Sequence, residues 1–173
     1  MDSYVFTIKS DKIIRLLISL YIWSIDSIMI FSKACEYGIR ATIYVAKQSM
    51  NDLRPNLKDI SKEIDSPEAF TAKILQLLVK GNIISSIKGV NGGFEIKNKK
   101  MGKVKLKDIV KAIDQDFDYK TCVLGLKLCS EVKPCPVHHK YKHIKADFKA
   151  MLQNTNLLDL SDGVKDGKTC LKY

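Results

Sequence analysis

The stretch that decides the fold is residues 66–96, SPEAFTAKILQLLVKGNIISSIKGVNGGFEI. Ser66-Pro67-Glu68 is a helix-start signal, because serine can cap a helix, proline suits its first position and the helix dipole favours an acid there. A helix is therefore predicted from Pro67 to Lys80, with Gly81 ending it. Its buried stripe would be Ile74, Leu75 and Leu78, and its outer positions Glu68, Thr71, Lys73 and Gln76.

A β-hairpin is predicted directly after this helix. Ile83–Lys88 is a strand-like run, residues 89–93 read GVNGG and favour a turn, and Phe94–Ile96 is a short returning strand. The lysine at position 88 lies at the shoulder of the turn. Helix and hairpin together predict a recognition helix followed by a basic wing.

Two further helices are predicted upstream. Ser32 can cap a helix that runs to about Ser49, and Asn56 starts a shorter helix that ends at Asp65. Leu53-Arg54-Pro55 breaks the chain between them. Three helices and a hairpin predict a winged helix-turn-helix, a mainly α-helical fold with a small β-hairpin wing. Such a fold can place the start of its third helix in a DNA major groove, although winged helices also dock proteins.

Charge and composition agree with a nucleic-acid partner. The 173 residues carry a formal net charge of +10 and are 46% hydrophobic, enough for one ordinary core with a small appended module. Much of the excess charge lies between Lys97 and Lys111, in a stretch that either contacts phosphates or is a solvated linker. A positive field attracts nucleic acid or an anionic membrane, and the helix pattern makes double-stranded DNA the expected partner.

The N-terminal apolar stretch, Ile13–Phe31, looks at first like a membrane anchor. Arg15 and Asp26 interrupt it, and a charge near mid-bilayer costs about 2.5–3.5 kcal/mol on insertion scales. We therefore expect a cytoplasmic protein rather than a membrane-anchored one. Translation starting at Met29 would make residues 1–28 an upstream extension with little structural role.

Two more amphipathic helices are predicted downstream of the wing. The first is marked by Leu106, Ile109, Val110 and Ile113. The second runs from His138 to about Gln153, and its apolar stripe comprises Tyr141, Ile144, Phe148 and Met151 or Leu152. Because a small domain has limited surface to cover this stripe, we expect a homodimer, with packing back onto the same chain as the alternative.

Three of the five cysteines, Cys122, Cys129 and Cys135, fall in the loop between these helices, with His138 at its end. An odd cysteine count with such crowding favours a reducing compartment and metal ligation over a disulfide framework. Soft thiolates suit zinc or iron-sulfur clusters. Zinc ligands usually form tighter pairs, so the wide gaps here favour iron-sulfur.

The chain resembles the Rrf family of winged helix-turn-helix regulators, which includes the IscR-like and NsrR-like iron-sulfur regulators. The resemblance is carried by SKACEYGIRA at residues 32–41, KGVNGGF at residues 88–94, and the three cysteines. It extends from about Met29 to the end of the long helix and leaves residues 1–28 unmatched.

This resemblance implies a homodimeric repressor or activator, and it assigns candidate site residues. Cys122, Cys129 and Cys135 match the cluster ligands, and His138 matches the histidine that completes a two-iron, two-sulfur site. Glu36 is the rival fourth ligand, because it resembles an acidic residue that the partner subunit offers in nitric-oxide-responsive members. The gap between Cys122 and Cys129 is one residue longer than is usual in the family.

The resemblance also assigns a DNA-contact surface on the recognition helix and the wing. Phe70 falls where many members carry tyrosine and has core packing as its alternative role. Lys88 replaces the arginine common at the wing, which argues against bidentate base reading there. The matching positions are Ser66, Glu68, Phe70, Thr71, Lys73, Lys88 and Asn91.

The functional hypothesis is a DNA-binding transcriptional regulator controlled by an iron-sulfur cluster, with no catalysis and no small-molecule substrate. A zinc-bound or cluster-free regulator that senses thiol redox state is the main alternative, followed by an iron-sulfur assembly protein. The expected organisation is an extension at 1–28, a winged helix-turn-helix at 29–100, a connector and helix at 101–120, a cysteine loop at 121–138, a dimerisation helix at 139–160 and a flexible tail at 161–173.

Overall fold

The computed structural model describes residues 30–115, 122–127 and 129–171 of the chain. The predicted extension at residues 1–28 and most of the N-terminal apolar stretch lie outside this part. The helices are α1 (Lys33–Ser49), α2 (Leu57–Ile64), α3 (Glu68–Lys80), α4 (Asn98–Met101), α5 (Leu106–Ile113), α6 (His138–Asn154) and α7 (Leu157–Lys165), and the strands are β1 (Ser85–Ile87) and β2 (Gly93–Glu95). None of the described helices has the length and apolar character that a membrane crossing requires.

The predicted fold class is confirmed: three helices are followed by an antiparallel hairpin. Helix α1 is the central scaffold and packs against α2, α3, α5, α7 and β2. From α3, Ile74, Leu75 and Leu78 are almost completely buried, as their helical spacing predicted. This arrangement leaves the start of α3 and the hairpin at the edge of the core.

Helix α2 begins and ends where the sequence predicts. The side chain of Asn56 accepts a hydrogen bond from the Asp59 N–H (3.0 Å), and the Asp59 carboxylate accepts one from the Asn56 N–H (3.1 Å). At the other end, Asp65 takes the left-handed conformation (φ 51°) that reverses the chain. Local capping chemistry therefore sets the two ends of this helix.

The prediction that Ser66 caps α3 is wrong. Pro67 is the N-cap residue and no side chain caps the helix, while the buried Ser66 Oγ has no hydrogen-bond partner among the described residues. The Ser66 N–H instead donates to Ser61 O (3.0 Å) and closes the last turn of α2. Ser66 is thus used to end one helix rather than to start the next.

The prediction that Thr71 lies on the outer face of α3 is also wrong, because its side chain is completely buried. Thr71 precedes Ile74, Leu75 and Leu78 by three, four and seven residues, so helical geometry places it on the apolar stripe. The outer position was predicted from the polarity of the threonine side chain, whereas the helical spacing of the apolar residues predicts that Thr71 is buried.

The C-terminal region contains a helix that the sequence analysis missed. The chain leaves α6 at Thr155, and the Leu106 N–H donates to Thr155 O (3.0 Å) while the Leu157 N–H donates to Val104 O (2.9 Å). Helix α7 then packs on α1, with Leu157 and Ser161 fully buried. A flexible tail from residue 161 is therefore wrong for residues 161–165, which are helical.

Candidate functional site

The cysteine loop begins with a buried thiol. Cys122 is 4% exposed, and a turn closes after it through the hydrogen bond from the Gly125 N–H to Cys122 O (2.9 Å). Hydrogen bonds from the backbone N–H groups of Leu124 and Leu126, together with the side chain of Cys135, lower the pKa of the Cys122 thiol. The loop backbone therefore favours a thiolate at this position, as a metal-binding thiol requires.

The end of the loop brings a second thiol to the histidine. Cys129 Sγ lies 3.4 Å from Nδ1 of His138, the first residue of α6. The His138 N–H donates to Cys135 O (2.9 Å), so the third cysteine lies one turn away on the same chain reversal. His138 is 5% exposed, and its buried Nε2 has no hydrogen-bond partner in the described part of the chain.

The four predicted ligands thus lie as two pairs, Cys122 with Cys135 and Cys129 with His138. Among the described residues, no three His, Cys, Asp or Glu side chains are placed to hold a metal ion together. The donor set nevertheless fits an iron-sulfur group: three soft thiol ligands, one of them with a lowered pKa, and an imidazole with a buried, unpartnered nitrogen.

The loop is anchored to α6 and exposes apolar side chains. Lys142 of α6 forms an ion pair with Glu131, which lowers the pKa of that carboxyl. Ser130 Oγ accepts hydrogen bonds from the N–H groups of Val132 (3.2 Å) and Lys133 (3.3 Å). Among the described residues of the loop, the exposed apolar side chains are those of Val123, Leu124, Leu126, Val132 and Val137.

The alternative fourth ligand, Glu36, and the two other cysteines of the chain lie outside the cysteine loop. Glu36 is in the first turn of α1, where Lys33 Nζ lies 2.9 Å from its carboxylate. Cys35 is completely buried, and burial together with the carboxylate of Asp114 raises the pKa of its thiol to about 12. Cys35 is therefore a neutral core thiol, and Cys170 is exposed near the C-terminus.

The predicted DNA-contact positions divide by exposure. Glu68 and Lys73 on α3 and Lys88 and Asn91 on the wing are exposed. Phe70 is half-buried, with its ring edge-on to Tyr37 at 5.8 Å between centroids. The alternative of core packing is thus supported for Phe70.

Sequence reasoning did not single out two lysines beside the start of α3. Lys58 and Lys62 of α2 line an open groove with Ser66, Pro67 and Glu68. Both lysines are exposed. Their spacing of four residues places them on one helix face and was a readable signal for a phosphate-contacting surface.

Taken together, the capped helix-turn-helix, the exposed basic wing and the cysteine loop define the class of transcriptional regulators that bind DNA through a winged helix. The chain belongs to the Rrf2 family, described as iron-dependent transcriptional regulators, whose family model matches residues 31–163. Its members are transcriptional regulators and not enzymes.

Similar proteins agree with this membership. A candidate HTH-type transcriptional regulator of Aquifex aeolicus is 32% identical over 134 residues, which cover 76% of this chain and 91% of that protein. The structure of CymR, the global cysteine regulator of B. subtilis, has a TM-score of 0.63 and 20% identity, and covers 76% of this chain and 95% of its own. IscR of T. potens has a TM-score of 0.59 and 16% identity, with coverages of 80% and 90%.

Proposed function

We propose that this Rrf2-family regulator is a homodimer whose DNA binding is controlled by an iron-sulfur cluster held by Cys122, Cys129 and Cys135. The observation that carries the proposal is the contact between Cys129 Sγ and His138 Nδ1, because it brings a loop thiol to the only histidine whose buried Nε2 lacks a partner among the described residues. His138 is therefore the proposed fourth ligand, of a two-iron, two-sulfur cluster, and Glu36 of the partner subunit is the alternative.

The chain's own residues couple this loop to the rest of the molecule. His138 begins α6, and Glu131 of the loop is paired with Lys142 one turn further along the same helix. A change in the Cys122–Cys135 or Cys129–His138 contact would therefore alter the conformation at the start of α6. A bound cluster would supply a group that responds to oxidation, nitric oxide or cluster supply.

DNA recognition is proposed to use the exposed members of the predicted set. From α3, Glu68 would face base edges and Lys73 would face base edges or phosphates, and from the wing Lys88 and Asn91 would reach the adjacent backbone or minor groove. Ser66 contributes through its position at the start of α3, and Phe70 through its half-exposed ring. The burial of Thr71 argues against a direct base contact by its side chain.

Dimerisation is proposed to use the exposed apolar side of α6. Ile144 is 60% exposed and Met151 is 45% exposed, whereas Leu152 at the end of the helix is completely buried. Leu152 thus packs the C-terminal end of the helix against the rest of the chain. The apolar side chains of Ile144 and Met151 remain exposed to solvent. A second copy would cover them and pair the two winged helices for two half-sites.

A second candidate is a regulator that senses thiol redox state without a cluster, or with zinc. It is favoured by the same Cys129–His138 contact and by the lowered pKa of the Cys122 thiol, because thiolates are the oxidisable form of cysteine. Elemental analysis of protein purified without oxygen separates the two candidates: iron with acid-labile sulfide supports the first, and stoichiometric zinc or no metal supports the second.

The decisive experiment compares DNA binding by the cluster-loaded and cluster-free protein. Both forms are titrated, without oxygen, onto double-stranded DNA selected from a random-sequence pool by the wild-type protein. Because coupling between two sites typically amounts to about 1–3 kcal/mol, the two affinities should differ about fivefold to 150-fold. Equal affinities would show that the cluster does not control binding, even if it is present.

The dimer prediction is tested by Ile144→Glu, which places a charge in the proposed interface. Burying an unpaired carboxylate is costly, so this variant should sediment as a monomer at micromolar concentration and lose most of its DNA affinity. Ala146→Glu, which adds the same charge at an exposed position two residues away and therefore on the opposite side of the helix, is the matched control and should remain dimeric. A monomeric wild type would contradict the homodimer.

A further inference from the structure

The wing is too small to hold its own orientation. It consists of one short antiparallel pair, with Ser85 opposite Glu95, Ser86 opposite Phe94 and Ile87 opposite Gly93. An isolated two-stranded hairpin is marginally stable in water. Its direction relative to α3 must therefore come from contacts at its base.

Main-chain contacts join β2 to the connection between α1 and α2. The Phe94 N–H donates to Pro55 O (3.0 Å), so residues 54–55 lie along β2 as β1 does on its other side. The Ile96 N–H donates to the buried Oγ of Ser49, the last residue of α1 (3.0 Å). These contacts join segments more than 35 residues apart and fix the root of the wing.

The approach is close enough to require glycine at position 93. Its φ of +149° is one that side chains rarely adopt, and a Cβ there would lie 2.6 Å from Arg54 O and 2.9 Å from Pro55 O. Strand β2 therefore lies directly against the backbone of the Arg54-Pro55 segment.

One side-chain pair spans the same junction. Arg54 Nε donates to the carboxylate of Glu95, and the two side chains are 45% and 18% exposed. Glu95 is the last residue of β2, and the exposed wing tip around Asn91 lies four residues earlier. At about 3.3 Å per residue the tip is roughly 13 Å away, so a tilt of about 10° at the base moves it by about 2 Å. A hydrogen bond does not survive such a displacement.

We infer that Arg54 and Glu95 are positioning residues for DNA binding: their ion pair sets the angle of the wing so that Lys88 and Asn91 meet the DNA. The inference rests on the proposed role of the wing tip. Arg54 thus acts through Glu95, and neither side chain needs to touch the DNA.

The test uses the full chain and DNA selected by the wild-type protein from a random-sequence pool. Arg54→Ala and Glu95→Ala should each weaken binding, by about threefold to tenfold, because each removes one of the contacts that set the angle of the wing and so weakens part of a tip contact. The charge swap Arg54→Glu with Glu95→Arg should restore affinity to within about twofold. In a Lys88→Ala/Asn91→Ala background, Arg54→Ala should have almost no further effect.

The opposite pattern would overturn the inference. If Arg54 instead contacts a phosphate, Arg54→Ala weakens binding, Glu95→Ala strengthens it by freeing the guanidinium, the swap fails to rescue, and the loss persists without the wing tip. Thermal unfolding of each variant identifies any that fail to fold. If a single variant fails to fold, the DNA affinity of the charge-swap variant is compared with that of the wild type instead.

Lys168→Ala is the matched control, because it breaks an exposed ion pair with Asp166 near the C-terminus. It should change affinity by less than about twofold. A wild-type protein that enriches no DNA from the pool would contradict the proposed function. If the wild type binds, and Arg54→Ala, Glu95→Ala and the charge swap all bind as well as it does, only the positioning role is contradicted.

Discussion

Replacing Cys122, Cys129 and Cys135 together with alanine should abolish bound iron, acid-labile sulfide and visible absorption in protein purified without oxygen. These three thiols are the proposed soft ligands of the loop, and the structure pairs Cys122 with Cys135 and Cys129 with His138. Cys35 cannot substitute for them, because its thiol is completely buried with a pKa of about 12. The measurement is iron and sulfide content per chain together with the absorption spectrum.

Cys170→Ser is the matched control for this triple change, because Cys170 is exposed and remote in sequence from the loop. It should keep its full iron content. His138→Ala and Glu36→Gln then separate the two proposals for the fourth ligand: the one that alters the absorption spectrum or lowers the iron content identifies the ligand. A colourless wild-type protein loaded with zinc would contradict the cluster proposal itself.

Leu157→Ala should destabilise the domain by about 2–5 kcal/mol. Leu157 begins α7, is completely buried, and lies where α7 packs on the central helix α1. Deleting its side chain leaves a cavity in that contact. In thermal unfolding, the expected fall in the midpoint is roughly 5–15 °C for a chain of this size.

Leu158→Ala is the matched control one residue away, because its side chain is 36% exposed. It should change stability by only about 0.5 kcal/mol. Equal effects of the two changes would show that α7 does not pack on α1 as described.

Several elements were predictable because their determinants are local. Asn56 and Asp59 cap α2 through each other, and Asp65 ends it, so the bounds of this helix depend on a few neighbouring residues. The glycine-rich turn at residues 89–93 similarly predicted the hairpin. Where a residue had two local uses, as Ser66 did at the end of α2 and the start of α3, the sequence could not decide between them.

The sequence misled where residue type and helical position disagreed. Thr71 is polar but falls on the stripe of Ile74, Leu75 and Leu78, and burial in the core prevailed. Helix α7 was missed although its start carries a local cap, in which the Asn156 side chain accepts a hydrogen bond from the Asp159 N–H (3.0 Å). Backbone hydrogen bonds with residues 104 and 106, far away in sequence, then hold this start in place. The burial of Thr71 was readable from the helical spacing and the start of α7 from its cap, whereas tertiary contacts decide that α7 packs on α1.

The chemistry available in the cysteine loop could be read from the sequence, because three thiols and a histidine fall within residues 122–138 of a winged-helix chain. The contact of Cys129 with His138 at the start of α6, and the pairing of Cys122 with Cys135, depend on the folded chain. The same holds for the wing, whose strands were readable but whose angle depends on Ser49, Arg54 and Pro55. Spacing along a chain specifies which groups are present, whereas distances between them depend on how distant segments pack.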